Sequence, residues 1–419
     1  MPRSAETDTG VLDRAGARAR SGPVTQPGPS TGERNPIPSL DGLRALAVGL
    51  VIVYHLQMVY AVGLQSSTTQ QLFAIPWFGV SFTQGQFGVT IFFFLSGYLI
   101  TTLLRMEYER TGRISLRDFY LRRALRILPP LYVALAAGVL LTEAGAIRGW
   151  HVTPVGLLSQ VLFFHNYYEP AVYPAFGAVA GTWVLWSLAV EEHFYLIFPV
   201  AYLALLRWIP SPRRQAAILL GVCGLVLMWR VLLIYHFHVF GLRVYMSTDT
   251  RIDSILFGCV LAIVENPYVD RSVVSDQVWK WVLLPLGLGG IAATWIAAGH
   301  VHFHETFVYT IQGACLVPLF VCAVRYPGWS LFRPLQWGWV RTVGLVSYVL
   351  YLVHDTVIIG VEQNLHAPRL VEAVVAVGLA LVVALLVRKF VEVPCARLRR
   401  RLAHVLLGTT SDRRQANSA

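Results

Sequence analysis

The most constraining feature of this chain is its first apolar stretch, from Pro38 to Tyr60, because it carries two ionisable residues where a membrane helix rarely tolerates them. At 1.5 Å per residue, His55 lies roughly 16 Å beyond Arg44, about half of a ~30 Å hydrocarbon core. Eleven steps of about 100° make about three turns, so the two side chains share one face. Arg44 is expected at the membrane–water interface and His55 at mid-depth. An ionisable group at that depth usually lines a cavity or a path, and a histidine hydrogen-bonded between helices is the alternative.

The composition identifies a membrane protein. The chain has 419 residues, of which 55% are hydrophobic and 14% charged, and its mean hydropathy is +0.56, whereas soluble domains carry about 25% charged residues. The net charge of +11 does not indicate nucleic acid as a partner, because the basic residues cluster in loops between apolar stretches. The five cysteines form no CxxC pair and most lie in apolar stretches, so we predict no disulfide and no metal site.

The apolar stretches predict an all-α, polytopic membrane protein with about ten transmembrane helices. The predicted spans lie near residues 38–60, 87–104, 127–146, 184–206, 216–236, 252–265, 280–299, 306–324, 342–361 and 369–387. Residues 155–165 are apolar but only about eleven long, so we predict one short re-entrant or interfacial segment there. With that segment counted as non-crossing, the arginine-dense loops and both termini fall on the cytoplasmic side of the cell membrane.

The two ends of the chain are predicted to lie outside the membrane domain, which we place at residues 36–391. Residues 1–35 are rich in Gly, Pro, Ser, Thr and Arg, which predicts a disordered cytoplasmic tail. Residues 392–419 are predicted to form a basic cytoplasmic tail, and its amphipathic part, Glu392–Leu407, is expected to lie on the anionic inner leaflet. The connector 61–86 carries no charged residue, which suits the outer side.

Two further spans carry ionisable residues at a similar depth. Glu191 and Glu192, followed by His193, lie about eight residues below the outer end of their span, roughly 12 Å deep. His354 and Asp355 lie close to mid-depth of the ninth predicted span. Together with the histidine of the first span, these groups predict a shared buried polar site. A protonated glutamate that bonds a neighbouring helix is the structural alternative.

The basic residues before the third span have two interpretations. Arg122, Arg123 and Arg126 either anchor the cytoplasmic end of the span or clamp an anionic group such as phosphate, which arginine forks bind well. The sequence contains no GxxxxGK[ST] motif and no GxGxxG motif after a strand, so we predict no nucleotide loop of those kinds.

Two short motifs have plain structural interpretations. Arg251 and Asp253 open a span, and a local ion pair is the simplest reading, although a functional role stays open. Ser96-Gly97 is predicted to let two helices approach closely rather than to supply a nucleophile.

Six motifs occur in an order that resembles one family. They are PSLDGLRALAVGLVIVYH, GVTIFFFLSGYLIT, FYLRRALRILPPLY, TWVLWSLAVEEHFYLIFP, RIDSILFG and SYVLYLVH, within residues 36–396. Together they resemble the acyltransferase-3 family of bacterial integral-membrane O-acyltransferases. No single motif is specific, whereas six in order with matching spacing are.

The resemblance implies which residues hold the donor and which react. The family's pattern of a basic residue, ten residues and a histidine falls on Arg44 and His55, and its RxxR pattern falls on Arg123 and Arg126. His55 is then the expected general base, and the three arginines are expected to bind coenzyme A. Guiding the acyl end inward is the alternative role for Arg44. A relay through an acylated His55 stays open as a mechanistic variant.

The resemblance also implies roles in the later spans. The family's WSLAVEE stretch falls on Trp186 to Glu192, and Glu191 or Glu192 is expected to orient the catalytic histidine as in acyl-transfer triads. His193 stands where Gln is common in the family, and Asp355 stands where Trp often follows the histidine. The expected acceptor-binding residues are Trp186, His193, His354 and Asp355.

The implied function is transfer of an acyl group, expected to be acetyl, from cytoplasmic acyl-CoA to a hydroxyl of a sugar, a cell-envelope glycan or a macrolide-type small molecule. Acyl-CoA is a co-substrate, and no permanently bound cofactor is expected. The partners are then the acyl-CoA donor, the hydroxyl-bearing acceptor and the lipid bilayer. A multi-span transporter of an anionic or glycan substrate is the alternative, because buried charges are common to both classes.

Overall fold

The computed structural model describes residues 37–61, 85–173, 177–297, 300–399 and 401. Within these ranges every regular element is helical. The predicted N-terminal tail, most of the connector 61–86 and the C-terminal tail from residue 402 lie outside the described residues.

The helices, in chain order, are α1 Pro38–Ala61, α2 Gly85–Thr111, α3 Leu116–Glu143, α4 Pro154–Val161, α5 His165–Val172, α6 Leu185–Trp208, α7 Pro212–His236, α8 Leu242–Met246, α9 Thr248–Val264, α10 Asp276–Ile296, α11 Val301–Arg325, α12 Gly338–Asn364 and α13 Arg369–Arg399. Short π-helical turns interrupt α7, α10, α11 and α13, and a 3₁₀ turn at Arg333–Gln336 precedes α12.

The prediction of an all-α polytopic membrane protein is confirmed. Nine helices in the described part of the chain are long and apolar enough to cross a membrane. The predicted span at 252–265 lies on α9, whose 17 residues are at the lower limit for crossing. The predicted short segment at residues 155–165 covers α4 and ends at the first residue of α5, and both helices have eight residues and are too short to cross.

Close helix contacts bring the functional segments together. Helix α1 packs between α2 and α12, and α9 packs against α2 and α7. A Cβ atom added at Gly97 on α2 would collide with the backbone carbonyl of Ile255 on α9, so the predicted close approach at Ser96-Gly97 is present. A Cβ atom at Gly344 on α12 would likewise collide with the carbonyl of Asp41 on α1. The contact of α1 with α12 is the one that aligns the two histidine-bearing segments.

The expected ion pair between Arg251 and Asp253 is wrong. Asp253 pairs with Arg230 of α7 at 2.7 Å, and both side chains are fully buried. The Arg251 guanidinium lies 3.8 Å from the ring centroid of Tyr309 and donates to the carbonyl of Tyr245 at 3.1 Å. Side chains two positions apart on a helix differ in direction by about 200°, so Arg251 and Asp253 face different neighbours.

Near the C-terminal end of α2, a two-point ion pair holds the loop that follows α9. Two nitrogen atoms of the Arg105 guanidinium donate to the two carboxylate oxygens of Asp270 at 2.8 and 2.7 Å. Burial acts to raise the pKa of Asp270, but the hydrogen bonds and charge of Arg105 outweigh it and hold this pKa below its ordinary value.

Candidate functional site

The contact between α1 and α12 joins His55 and His354. The Nδ1 atom of His55 lies 2.8 Å from the carbonyl of Val51 and 3.4 Å from Nε2 of His354, and the two ring centroids are 4.9 Å apart. The Nδ1 atom of His354 lies 2.8 Å from the carbonyl of Tyr351. The histidine of the first span therefore has a histidine of the ninth predicted span as its side-chain partner.

These contacts fix how protons sit on the pair when both rings are neutral. A carbonyl oxygen only accepts, so each Nδ1 atom carries its hydrogen and donates. The Nδ1–H of His55 donates mainly to the carbonyl of Val51, and Nε2 of His354 faces the same hydrogen at 3.4 Å as a second, weaker acceptor. Within the described ranges no group is hydrogen-bonded to Nε2 of His55, so this nitrogen is the atom of the pair that is able to take up a proton.

A cavity lies on the side of α12 that faces α2, α3 and α6. Its empty volume, including its opening, is about 810 Å³. Three arginines contribute to its wall, namely Arg44, Arg123 and Arg126. The apolar part of the wall consists of Phe92, Leu95, Leu99, Ile100, Ile127, Leu188 and Leu352. Arg44 lies near the start of α1, and Arg123 and Arg126 lie in the first half of α3, and all three share one cavity.

Glu191 belongs to this cavity rather than to the histidine pair. The hydroxyl of Tyr195 donates to Oε2 of Glu191 at 2.8 Å and also lies 3.0 Å from Oγ of Ser96. The guanidinium of Arg123 lies over the Tyr195 ring, 5.0 Å from its centroid. The Tyr195 ring therefore holds the guanidinium of Arg123, and the carboxylate of Glu191 fixes the position of Tyr195 through its hydroxyl.

The expected contact of a glutamate with His55 is not among the hydrogen bonds of the described residues. The side-chain partner of His55 is His354, and Oε1 of Glu192 is buried without a hydrogen-bond partner. The roles proposed for Glu191 and Glu192 in catalysis remain predictions.

The other predicted site residues lie in two places. Asp355 is buried next to the histidine pair and interacts electrostatically with His55. His193 contacts Oγ1 of Thr248 at 2.7 Å through its Nδ1 atom. Trp186 packs against Tyr245, with ring centroids 4.7 Å apart. Trp186 and His193 therefore line the junction of α6 with α8 and α9.

Sequence reasoning missed the tyrosines of the cavity. Ser187, Glu191 and Tyr195 all line it, and their spacing of four residues places them on one face of α6. That spacing was visible in the sequence around the two glutamates and was the signal for Tyr195. Tyr348 and Tyr351 were missed as well; both line the same cavity, and the Tyr351 ring lies against His354 with centroids 5.7 Å apart.

The described residues contain no cluster of three or more His, Cys, Asp or Glu side chains that could hold a metal ion. Three convergent guanidinium groups suit an anionic ligand instead, because they offer forked donors to phosphate oxygens.

Comparison with known proteins gives a family match and curated relatives. Residues 37–389 match the family model Acyl_transf_3, which is described as an acyltransferase domain. The chain is similar to a peptidoglycan O-acetyltransferase of Listeria monocytogenes, with 32% identity over 381 residues that cover 86% of this chain and 56% of the relative. It is also similar to YrhL of Bacillus subtilis, which carries the same description provisionally, with 31% identity covering 85% of this chain and 54% of the relative. The chain thus spans little more than half the length of these relatives. No solved structure matches it.

Proposed function

Because this chain belongs to the acyltransferase-3 family, we propose that it is a membrane O-acyltransferase that moves an acetyl group from acetyl-CoA to a hydroxyl group of a glycan or small molecule. The observation that carries the proposal is the position of an arginine-lined cavity next to a histidine pair, in which Nε2 of His55 has no hydrogen-bond partner among the residues that the structure describes. The names of the relatives favour a cell-wall glycan as acceptor.

The donor binds in the cavity. Arg44, Arg123 and Arg126 hold the phosphates of coenzyme A, since planar guanidinium groups bind phosphate through paired hydrogen bonds. The leucines and isoleucines of the wall accept the less polar arm that carries the thioester. Glu191 and Tyr195 keep Arg123 oriented towards the ligand.

The histidine pair carries the proton. Nε2 of His55 takes the proton of the acceptor hydroxyl while the hydroxyl oxygen forms a bond to the thioester carbonyl carbon. The carbon–sulfur bond then breaks, and the imidazolium returns the proton to the leaving thiolate, so that the products are an ester and a thiol. The carbonyl of Val51 and Nε2 of His354 share the Nδ1–H of His55 and together stabilise the charged ring, which is the role a carboxylate has in acyl-transfer triads.

The acceptor side and the membrane topology complete the proposal. Asp355, Trp186 and His193 bind the acceptor. The protein resides in the cell membrane with both termini in the cytoplasm, so that the arginine-rich end of the cavity faces the cytoplasmic pool of acetyl-CoA.

The transporter alternative predicts that the protein binds no coenzyme A. Membrane spans with buried charged groups fit a transporter equally well, but a transporter gives no reason for a basic nitrogen beside a cavity with three arginines. A thermal-shift titration with coenzyme A separates the two functions, because only the transferase is stabilised by this ligand.

The direct test is the substitution His55→Ala in purified protein in vesicles supplied with radiolabelled acetyl-CoA. We expect acetyl transfer and slow hydrolysis to fall by about 10²–10⁴-fold, as for loss of a general base, while coenzyme A binding is retained. His366→Ala serves as the matched control, because this histidine is exposed in the connection between α12 and α13. Near-normal turnover of His55→Ala would contradict the assignment of the base.

A further inference from the structure

The cavity and the histidine pair are separated by the side chain of Tyr351. It lines the cavity, whereas His55 and His354 are not among the residues of the cavity wall. Its ring lies 5.7 Å from the His354 ring, which in turn lies 4.9 Å from the His55 ring, measured between centroids. The three rings form a series that leads from the wall of the donor cavity to the ring of His55.

Tyr351 is held in this position from two directions. Its hydroxyl lies 2.7 Å from Oγ of Ser187 and 3.0 Å from the carbonyl of Val184, both at the outer end of α6. Its ring meets the edge of Phe92 of α2 with centroids 5.8 Å apart. The side chain is 8% exposed. Its hydroxyl bonds and ring packing hold Tyr351 across the outer end of the cavity.

We infer that Tyr351 is a specificity-determining residue that limits which acyl groups pass from the cavity to His55. The inference rests on the proposed function. An acyl group on coenzyme A must pass this ring to reach Nε2 of His55, and every methylene beyond the acetyl carbon must pass it too. The tyrosine therefore favours acetyl over longer acyl groups.

The side chain of Tyr351 also forms the wall between the donor cavity and the histidine pair before an acyl group has passed. Removing the hydroxyl breaks the link to α6 but keeps the ring, whereas removing the ring opens the end of the cavity. Tyr351→Phe and Tyr351→Ala therefore change selectivity to different extents, with the larger change in the alanine variant.

Helix α12 provides a matched control one turn away. Tyr348 lines the same cavity, and its hydroxyl donates to the carbonyl of Ile127 at 2.8 Å. Tyr348→Phe removes a comparable hydrogen bond from the same helix at the end away from His354. A change in selectivity caused by general loosening of the cavity would appear in this variant as well.

The experiment compares release of coenzyme A from acetyl-CoA and butyryl-CoA by purified protein in vesicles without added acceptor. We expect the butyryl-to-acetyl rate ratio to rise by about 10-fold or more in Tyr351→Ala, since differences of one methylene are worth about 10–200-fold in a discriminating site. Tyr351→Phe and Ser187→Ala should raise the ratio by a smaller factor, and Tyr348→Phe should keep the wild-type ratio, whatever its absolute rate.

The outcomes distinguish this inference from the proposed function. A wild-type ratio in Tyr351→Ala, or in both Tyr351→Phe and Ser187→Ala if the alanine variant does not fold, would overturn the role of Tyr351 and leave acyl transfer standing. An equal rise in Tyr348→Phe would also overturn it. A wild-type protein that releases coenzyme A from neither thioester and does not bind it would overturn the proposed function, and this inference with it.

Discussion

Replacing His354 tests how much of the basicity of His55 depends on its partner. In the resting protein Nε2 of His354 accepts the Nδ1–H of His55 at 3.4 Å, beside the shorter bond of that hydrogen to the carbonyl of Val51, and a neutral hydrogen bond is worth at most about 0.5–1.5 kcal/mol. When His55 takes up the proton of the acceptor, the bond becomes charge-assisted and is worth about 1.5–3 kcal/mol. Only the difference, about 1–2 kcal/mol, stabilises the transition state.

That difference predicts the size of the effect. His354→Leu should lower kcat/KM by about 5–30-fold, since 1.36 kcal/mol corresponds to a factor of ten. His354→Gln should lose less, because its side-chain oxygen can take the place of Nε2 as an acceptor. The assay is acetyl transfer in vesicles at several acetyl-CoA concentrations, with coenzyme A binding as the measure of folding. Equal losses in the leucine and glutamine variants, or a loss as large as that of His55→Ala, would refute the hydrogen-bond reasoning.

Two further predictions concern stability. Asp270→Asn should cost about 1.5–3 kcal/mol at pH 7, because Arg105 loses a charged partner. The carboxyl of Asp270 has a lowered pKa in the folded protein, so its contribution to stability is present above about pH 4 and is lost as the pH falls through that lowered pKa. Thermal unfolding in detergent should show the difference in melting temperature between variant and wild type closing in acid. A difference that stays constant with pH would contradict the ion pair. Gly97→Ala should lower the free energy of unfolding by about 1–3 kcal/mol through overpacking against the backbone of α9. Gly49→Ala is the control, because an added Cβ there meets nothing within 4 Å, and it should be neutral or slightly stabilising. Equal melting temperatures for the two variants would contradict the close approach of α2 and α9.

The sequence was sufficient to predict an all-α polytopic membrane protein, because hydropathy acts through local composition. Apolar length identified the spans, and the eleven-residue stretch after α3 was recognised as too short to cross. The same local reasoning placed Arg44 and His55 on one face of α1, because the period of a helix is fixed by its hydrogen bonds.

The sequence alone could not predict which helices contact one another or which of their faces meet. The depth of Glu191 and His354 could be counted, but the rotation of each helix about its axis and the order of neighbours depend on packing of the whole bundle. The glutamate therefore faces Tyr195 and the arginines, while the histidine faces His55. The missed residue Tyr351 carries no charge, so a search for costly buried ions had no means of finding it.

The stripe formed by Ser187, Glu191 and Tyr195 has a consequence for how this protein can change over evolutionary time. These side chains reach one cavity because eight residues make slightly more than two turns of α6, roughly 12 Å of helix. Inserting or deleting one residue between them would rotate one end of the stripe by about 100° and turn its side chain out of the cavity. Substitutions in this segment can retune the ligand, but its length cannot drift. Variation among proteins that share this cavity is therefore expected as exchanges of residues at these positions, with insertions confined to the connections outside the helix.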